Sequence, residues 1–152
     1  LIVSCFISVV YFLLYAAVAS CLAAILWGFG PVDSSYWPQL LGTLGLEILL
    51  ILAYTSVFVF LSSLIRQTGG AIAVNICLMS FAPMMVQMGQ MLLNYLLKTE
   101  WDFSQFLISM NIIAVSSGLS QEVCLRALLV GILYFAITTA AGMWIFQKRD
   151  IK

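Results

Sequence analysis

The 152 residues carry six basic and six acidic side chains, no histidine and 64% hydrophobic residues, and their mean hydropathy is +1.14. Charged residues make up 8% of the chain, against roughly 25% in soluble domains, which excludes an ordinary water-soluble domain and points to a bilayer. Zero net charge leaves no overall field to attract nucleic acid or another polyanion.

A bilayer core of about 30 Å takes about 20 apolar helical residues to cross. Four stretches reach that length and predict an all-α, polytopic membrane helix bundle, with spans at about 1–27, 40–65, 71–97 and 123–146 in a single transmembrane domain over 1–152. The first stretch is uncharged throughout, too long and without the basic lead of a secretory signal. It starts at Leu1 without a methionine and is apolar from its first residue, so further sequence is expected to precede it. Ala16, Ser20 and Ala24 form a ridge of small residues at four-residue spacing, suited to close helix approach. The connector GFGPVDSSYWPQ (28–39) has two prolines and no basic residue, and Trp27, Tyr36 and Trp37 fit an interfacial aromatic belt.

Glu47 lies about two turns inside the second span, where a charge costs ~2.5–3.5 kcal/mol even on the mild insertion scale. Such a residue should face the bundle interior, a water-filled path or a basic partner, or else snorkel to the headgroups. The next connector, LIRQTGG (64–70), is not a phosphate-binding loop, because it has neither the lysine nor the preceding strand of one. It reads as a helix hairpin, with Gly69 or Gly70 ending one helix in a left-handed conformation and starting the next, and Arg66 complementing the helix dipole.

In the third span Ser80, Pro83, Gln87, Gln90 and Asn94 fall within about 80° of one another at 100° per residue. This polar stripe serves either interhelical hydrogen bonding or a face of a transport path, and Pro83 should kink the helix. Met84, Met88 and Met91 offer adaptable packing or a soft surface for an apolar substrate.

The connection that follows is too short in its apolar part to span. Phe103, Phe106, Leu107, Met110, Ile113 and Ala114 recur at helical spacing, which predicts an interfacial or re-entrant helix at about 102–115, started by a capping box from Thr99 to Asp102. Ser120 with Glu122 suits the start of the last span. Arg126, about one turn into that span, pairs either with Glu47 across the bundle or with Glu122 on its own helix.

Catalysis finds no support: the serines of VSSGLS (115–120) have no histidine to activate them. Cys5, Cys21, Cys77 and Cys124 lack the spacing of a zinc site or a disulfide framework. The chain is therefore expected to be no enzyme and to hold no metal or cofactor. Basic residues are retained on the cytoplasmic side, which puts the tail QKRDIK (147–152) and the Arg66 turn inside and the 28–39 and 98–122 connections outside, with Lys98 and Arg126 as the minority. Tyr95 and Trp101 would then mark the outer interface and Trp144 the inner one.

Two segments, FLSSLIRQTGGAIAVNICL and GILYFAITTAAGMWIFQKRDIK, carry a resemblance to the type-2 permease family of ABC transporters. The first is similar to that family's span closing in a serine cluster, a basic turn and a Gly/Ala-led next span. The second is similar to its final span followed by Phe146, Lys148, Arg149, Asp150 and Ile151. The resemblance runs over essentially the whole chain, although the proline many relatives place before the last span is missing. It implies the last four of six spans of a transmembrane subunit that dimerises as a homo- or heterodimer in the cell membrane, that of a bacterial cytoplasm, and works with a separate ATPase. The transport would be export by alternating access. The competing reading is a membrane binding or assembly protein without transport.

Overall fold

The computed structural model describes residues 1–27, 36–65, 67–98 and 102–149. They form α1 (Ile2–Trp27), α2 (Tyr36–Leu64), α3 (Thr68–Leu97), a 3₁₀ turn (Phe103–Phe106), α4 (Ile108–Ser117) and α5 (Gln121–Arg149). No strand occurs among the described residues. Helices α1, α2, α3 and α5 are each long and apolar enough to cross a membrane, and all four extend to or beyond most of the predicted limits. In hydrocarbon a helix satisfies its own backbone polar groups, which is why such sequences settle as uninterrupted helices. Helix α3 runs through Pro83 and ends at Lys98, whose left-handed backbone (φ 49°, ψ 37°) closes it.

Helix α2 is the centre of the molecule and packs against α1, α3, α4 and α5. Its Leu46, Leu50 and Ala53 meet Ile108 and Val115 of α4 and Ala127 and Val130 of α5 in one buried cluster. Lipid tails are as apolar as leucine, so dispersion and close fit hold this cluster rather than the expulsion of water. Between α2 and α5 the fit keeps one register. A Cβ at Gly131 would collide with Leu49, the Ser56 and Thr138 hydroxyls lie 2.7 Å apart, and Gly142 faces Phe60, each pair offset by 82 residues. A constant offset with the same sign means that the two helices run parallel. Helix α1 packs on α2 through the Thr55 hydroxyl, which donates to Ser8 Oγ (3.1 Å). Two turns further along α2, the Asn75 amide of α3 donates to Ser62 Oγ (3.2 Å).

Several expectations give way. Helix α2 ends at Leu64 without a glycine, and Gly69 and Gly70 lie in the first turn of α3, whose N-cap is Gln67, so the pair starts one helix and ends none. Among the described residues only Lys98 and Gly118 have positive φ. Arg66 lies outside the described residues, as do the 28–35 loop, Thr99–Trp101 and Asp150–Lys152, with the predictions that rest on them. Ala16 and Ala24 of the small-residue ridge are half-buried and Ser20 is exposed, so within the chain the ridge is not a continuous contact; the packed face of α1 includes Ser4, Cys5, Ser8, Val9, Phe12 and Ala16. Trp37, Tyr95 and Trp144 are exposed, as an aromatic belt requires.

The predicted 102–115 helix is split. Leu107, in extended conformation (φ −79°, ψ 133°), separates the 3₁₀ turn from α4 and resets the helical phase. The buried stripe is therefore Ile108, Asn111 and Val115, while Phe106 (65% exposed) and Ile113 (59%) of the predicted face point outward. Asp102, predicted inside a capping box, is itself the N-cap: its carboxylate accepts from the Ser104 amide at 3.1 Å. Ser120 behaves as expected, accepting the Val123 amide at 3.2 Å, with Glu122 in the first turn of α5.

Candidate functional site

The end of the bundle that carries the 3₁₀ turn and α4 holds a continuous polar belt. Gln90 of α3 accepts the Ser104 amide on its Oε1 (3.2 Å), joining the third span to the turn. Asp102 gathers the Ser104 amide and hydroxyl on one oxygen and Gln105 Nε2 (3.0 Å) on the other. These donors, with the Ser104 side chain first and Gln105 next, hold the Asp102 carboxyl below the usual aspartate range.

Asn111 continues the belt inward. It is 0% exposed, and its Nδ2 donates to the carbonyls of Gln105 (2.7 Å) and Leu107 (2.9 Å). Its Oδ1 accepts Arg126 Nε at 3.2 Å, so one amide fixes the 3₁₀ turn, α4 and α5 together. A buried amide with every strong bond made is costly to disturb.

Of the residues singled out from the sequence, Gln87, Gln90 and Asn94 come together with Asp102 and Ser104 around a cavity of about 500 Å³. Gln87 also donates from Nε2 to Met110 Sδ at 3.8 Å, a weak bond. Arg126 joins them through Asn111. Ser80 is exposed two turns away and takes no part. Glu47 is half-buried on α2 and does not pair with Arg126; nor does Glu122. The partner that α4 delivers to the guanidinium is instead the neutral Asn111, whose Oδ1 takes Nε. Asn111, Asp102, Ser104 and Gln105 were not among the candidates. The lone amide within SMNIIAV was the available signal for Asn111.

A second cavity, of about 550 Å³, opens toward the other end of the bundle between α1, α2 and α5, and its polar points are the hydroxyls of Ser56, Ser63, Thr138 and Thr139. The apolar cluster of Leu46, Leu50, Ala53, Ala127 and Val130 precedes this second cavity on α2 and α5, toward the end that carries α4. Among the described residues no group of His, Cys, Asp or Glu has the arrangement of a metal site. The hydroxyls of Ser116 and Ser117 are tied to the carbonyls of Ile113 and Ala114, as helix-end serines commonly are.

A family model described as a protein of unknown function (DUF2705) matches residues 1–152. The chain belongs to the DUF2705 family. No curated protein and no solved structure matches it.

Asp102 lends itself to a direct check. Its lowered pKa means that the turn is stabilised by the ionised form, fully so above the ordinary aspartate pKa of about 3.9. That contribution is lost as pH falls through the lower value of the folded state. A carboxyl-detected NMR titration should give a midpoint below the ordinary range, and Ser104→Ala should raise it. An unchanged midpoint in Ser104→Ala would remove the serine as the main cause.

Proposed function

We propose that the chain is the membrane-embedded permease subunit of an ABC transporter, an exporter powered by a separate ATPase, without catalytic, cofactor or metal chemistry of its own. The observation that carries this reading is the arrangement along the bundle: a polar belt with a 500 Å³ cavity on α3 and the 3₁₀ turn toward one end, a hydroxyl-bearing cavity of 550 Å³ among α1, α2 and α5 toward the other, and a tight apolar cluster of α2, α4 and α5 in the core. Alternating access needs a site open to one side at a time and a barrier that can move, and packed helix interfaces switch between discrete arrangements rather than deform gradually. The parallel α2–α5 pair is the element around which such a barrier would rearrange.

On this reading the belt faces outward, the C-terminus is cytoplasmic, and the protein sits in the cell membrane as a dimer with a second permease copy. The exposed apolar faces of α1 and α3, including Tyr11, Tyr15, Met88 and Met91, are then covered by lipid or by that copy. A second reading, a non-transporting binding or assembly protein, draws support from the internal pairing of the belt, since Asp102, Gln105 and Asn111 satisfy one another and need no ligand.

The test is affinity purification of the full-length protein from its native membranes in mild detergent, followed by reconstitution. The permease reading expects an ATPase with a Walker A motif to co-purify and its hydrolysis rate to change on incorporation with this chain. A protein that never associates with an ATPase would favour the assembly reading.

A further inference from the structure

We infer that Arg126 is a phosphate-binding residue, held in place by Asn111. The guanidinium presents five N–H donors in a rigid fork. Nε is spent on the fully buried Asn111 Oδ1, which leaves the terminal pair of nitrogens as a two-pronged donor that matches two oxygens of a phosphate. No carboxylate among the described residues forms an ion pair with it, although Glu122 lies one turn earlier on the same helix and Glu47 on the neighbouring span. Arg126 lies near the start of an apolar helix, close to headgroup depth, and it is half-buried.

A cation in that position without a counter-ion is expensive, and intramembrane charges are paired or functional. Asn111 supplies orientation but no charge, and no described carboxylate supplies one, so an anion from outside the bundle fits the neutralising role. Phosphate is the anion concentrated at that depth, either as a phospholipid headgroup or as part of a phosphate-bearing solute. Glu122, one turn earlier on α5, carries a charge that opposes an anion held there, which makes it a useful probe. The inference stands apart from the transport reading, since an assembly protein could use the same site.

Native mass spectrometry of the full-length protein tests it, with dioleoylphosphatidylglycerol and phosphate-free dioleoylglycerol as paired probes and inorganic phosphate as competitor. The wild type should retain the phospholipid about tenfold better than dioleoylglycerol, a difference Arg126→Gln abolishes. Arg126→Lys, which keeps the charge but loses the fork, should retain an intermediate amount and serves if the glutamine variant fails to fold. Glu122→Gln should retain more than wild type. Displacement by inorganic phosphate assigns the site to free phosphate groups, and resistance to it assigns the site to the lipid headgroup. Equal retention of both lipids by the wild type, or undiminished phospholipid retention in both Arg126 variants, overturns the inference.

Discussion

Replacing Asn111 by leucine should destabilise the protein by about 2–6 kcal/mol, because it strands two partly buried groups at ~1–3 kcal/mol each. The Gln105 carbonyl loses its donor and Arg126 Nε its acceptor. The Leu107 carbonyl keeps the Asn111 main-chain amide at 3.1 Å and suffers less. Leucine keeps the branching of asparagine beside the apolar Ile108 and Val115 but is larger, so Asn111→Ala, which strands the same groups without overpacking, serves as the control. Thermal unfolding in detergent, followed by circular dichroism, reads the change. A double-mutant cycle with Arg126→Leu isolates the pair, and the double variant should lose less than the two single losses added together. Additive losses would mean that Asn111 and Arg126 do not act on one another, and the belt would end at α4.

Gly131 marks a close approach between the parallel helices. Gly131→Ala should cost about 1–3 kcal/mol, the usual range for overpacking a well-filled interface. The added Cβ collides with Leu49 Cδ2 and comes within 3.1 Å of its Cγ, so the leucine must swing aside or the helices must part. Two internal controls separate this clash from any general effect of losing a glycine. A Cβ at Gly142 meets nothing nearer than Phe60 Cδ2 at 3.8 Å, and one at Gly45 meets nothing within 4 Å. Alanine at either should be neutral or slightly favourable, as expected of a helical glycine. Combining Gly131→Ala with Leu49→Ala should recover most of the lost stability. If Gly131→Ala were as stable as Gly45→Ala, the close approach would not be a tight interface, and α2 and α5 would not be the rigid pair around which the barrier is built.

What the sequence made legible follows from what each signal depends on. Span number and approximate position depend on mean apolarity over about 20 residues, a signal that no tertiary contact can hide, and four long helices follow it. The polar stripe of Gln87, Gln90 and Asn94 was readable because α3 is one unbroken helix, so a single phase holds from end to end. The 102–115 segment failed on the same ground. One extended residue, Leu107, shifts the wheel, and every position after it moves to another face. Asn111 thereby passed from an unremarked position to the hub of the belt. The pairing of Arg126 was illegible for a different reason: charge alone favoured Glu47 or Glu122, but the neutral Asn111 is the partner that the short helix delivers. Gly69 and Gly70 read in the sequence as ending one helix and starting the next, and only the second role holds, because Gln67 caps α3 ahead of them.

Cysteine accessibility tests the arrangement most directly. In a background with Cys5, Cys21, Cys77 and Cys124 replaced, Ser104→Cys in the belt and Gln147→Cys near the end of α5 are each exposed to a membrane-impermeant maleimide on right-side-out vesicles. The proposed arrangement predicts that Ser104→Cys reacts from outside and that Gln147→Cys reacts only after the vesicles are opened. Labelling of both from the same side would contradict α5 as a span, and the reverse pattern would place the polar belt on the cytoplasmic face and contradict an outward-facing site.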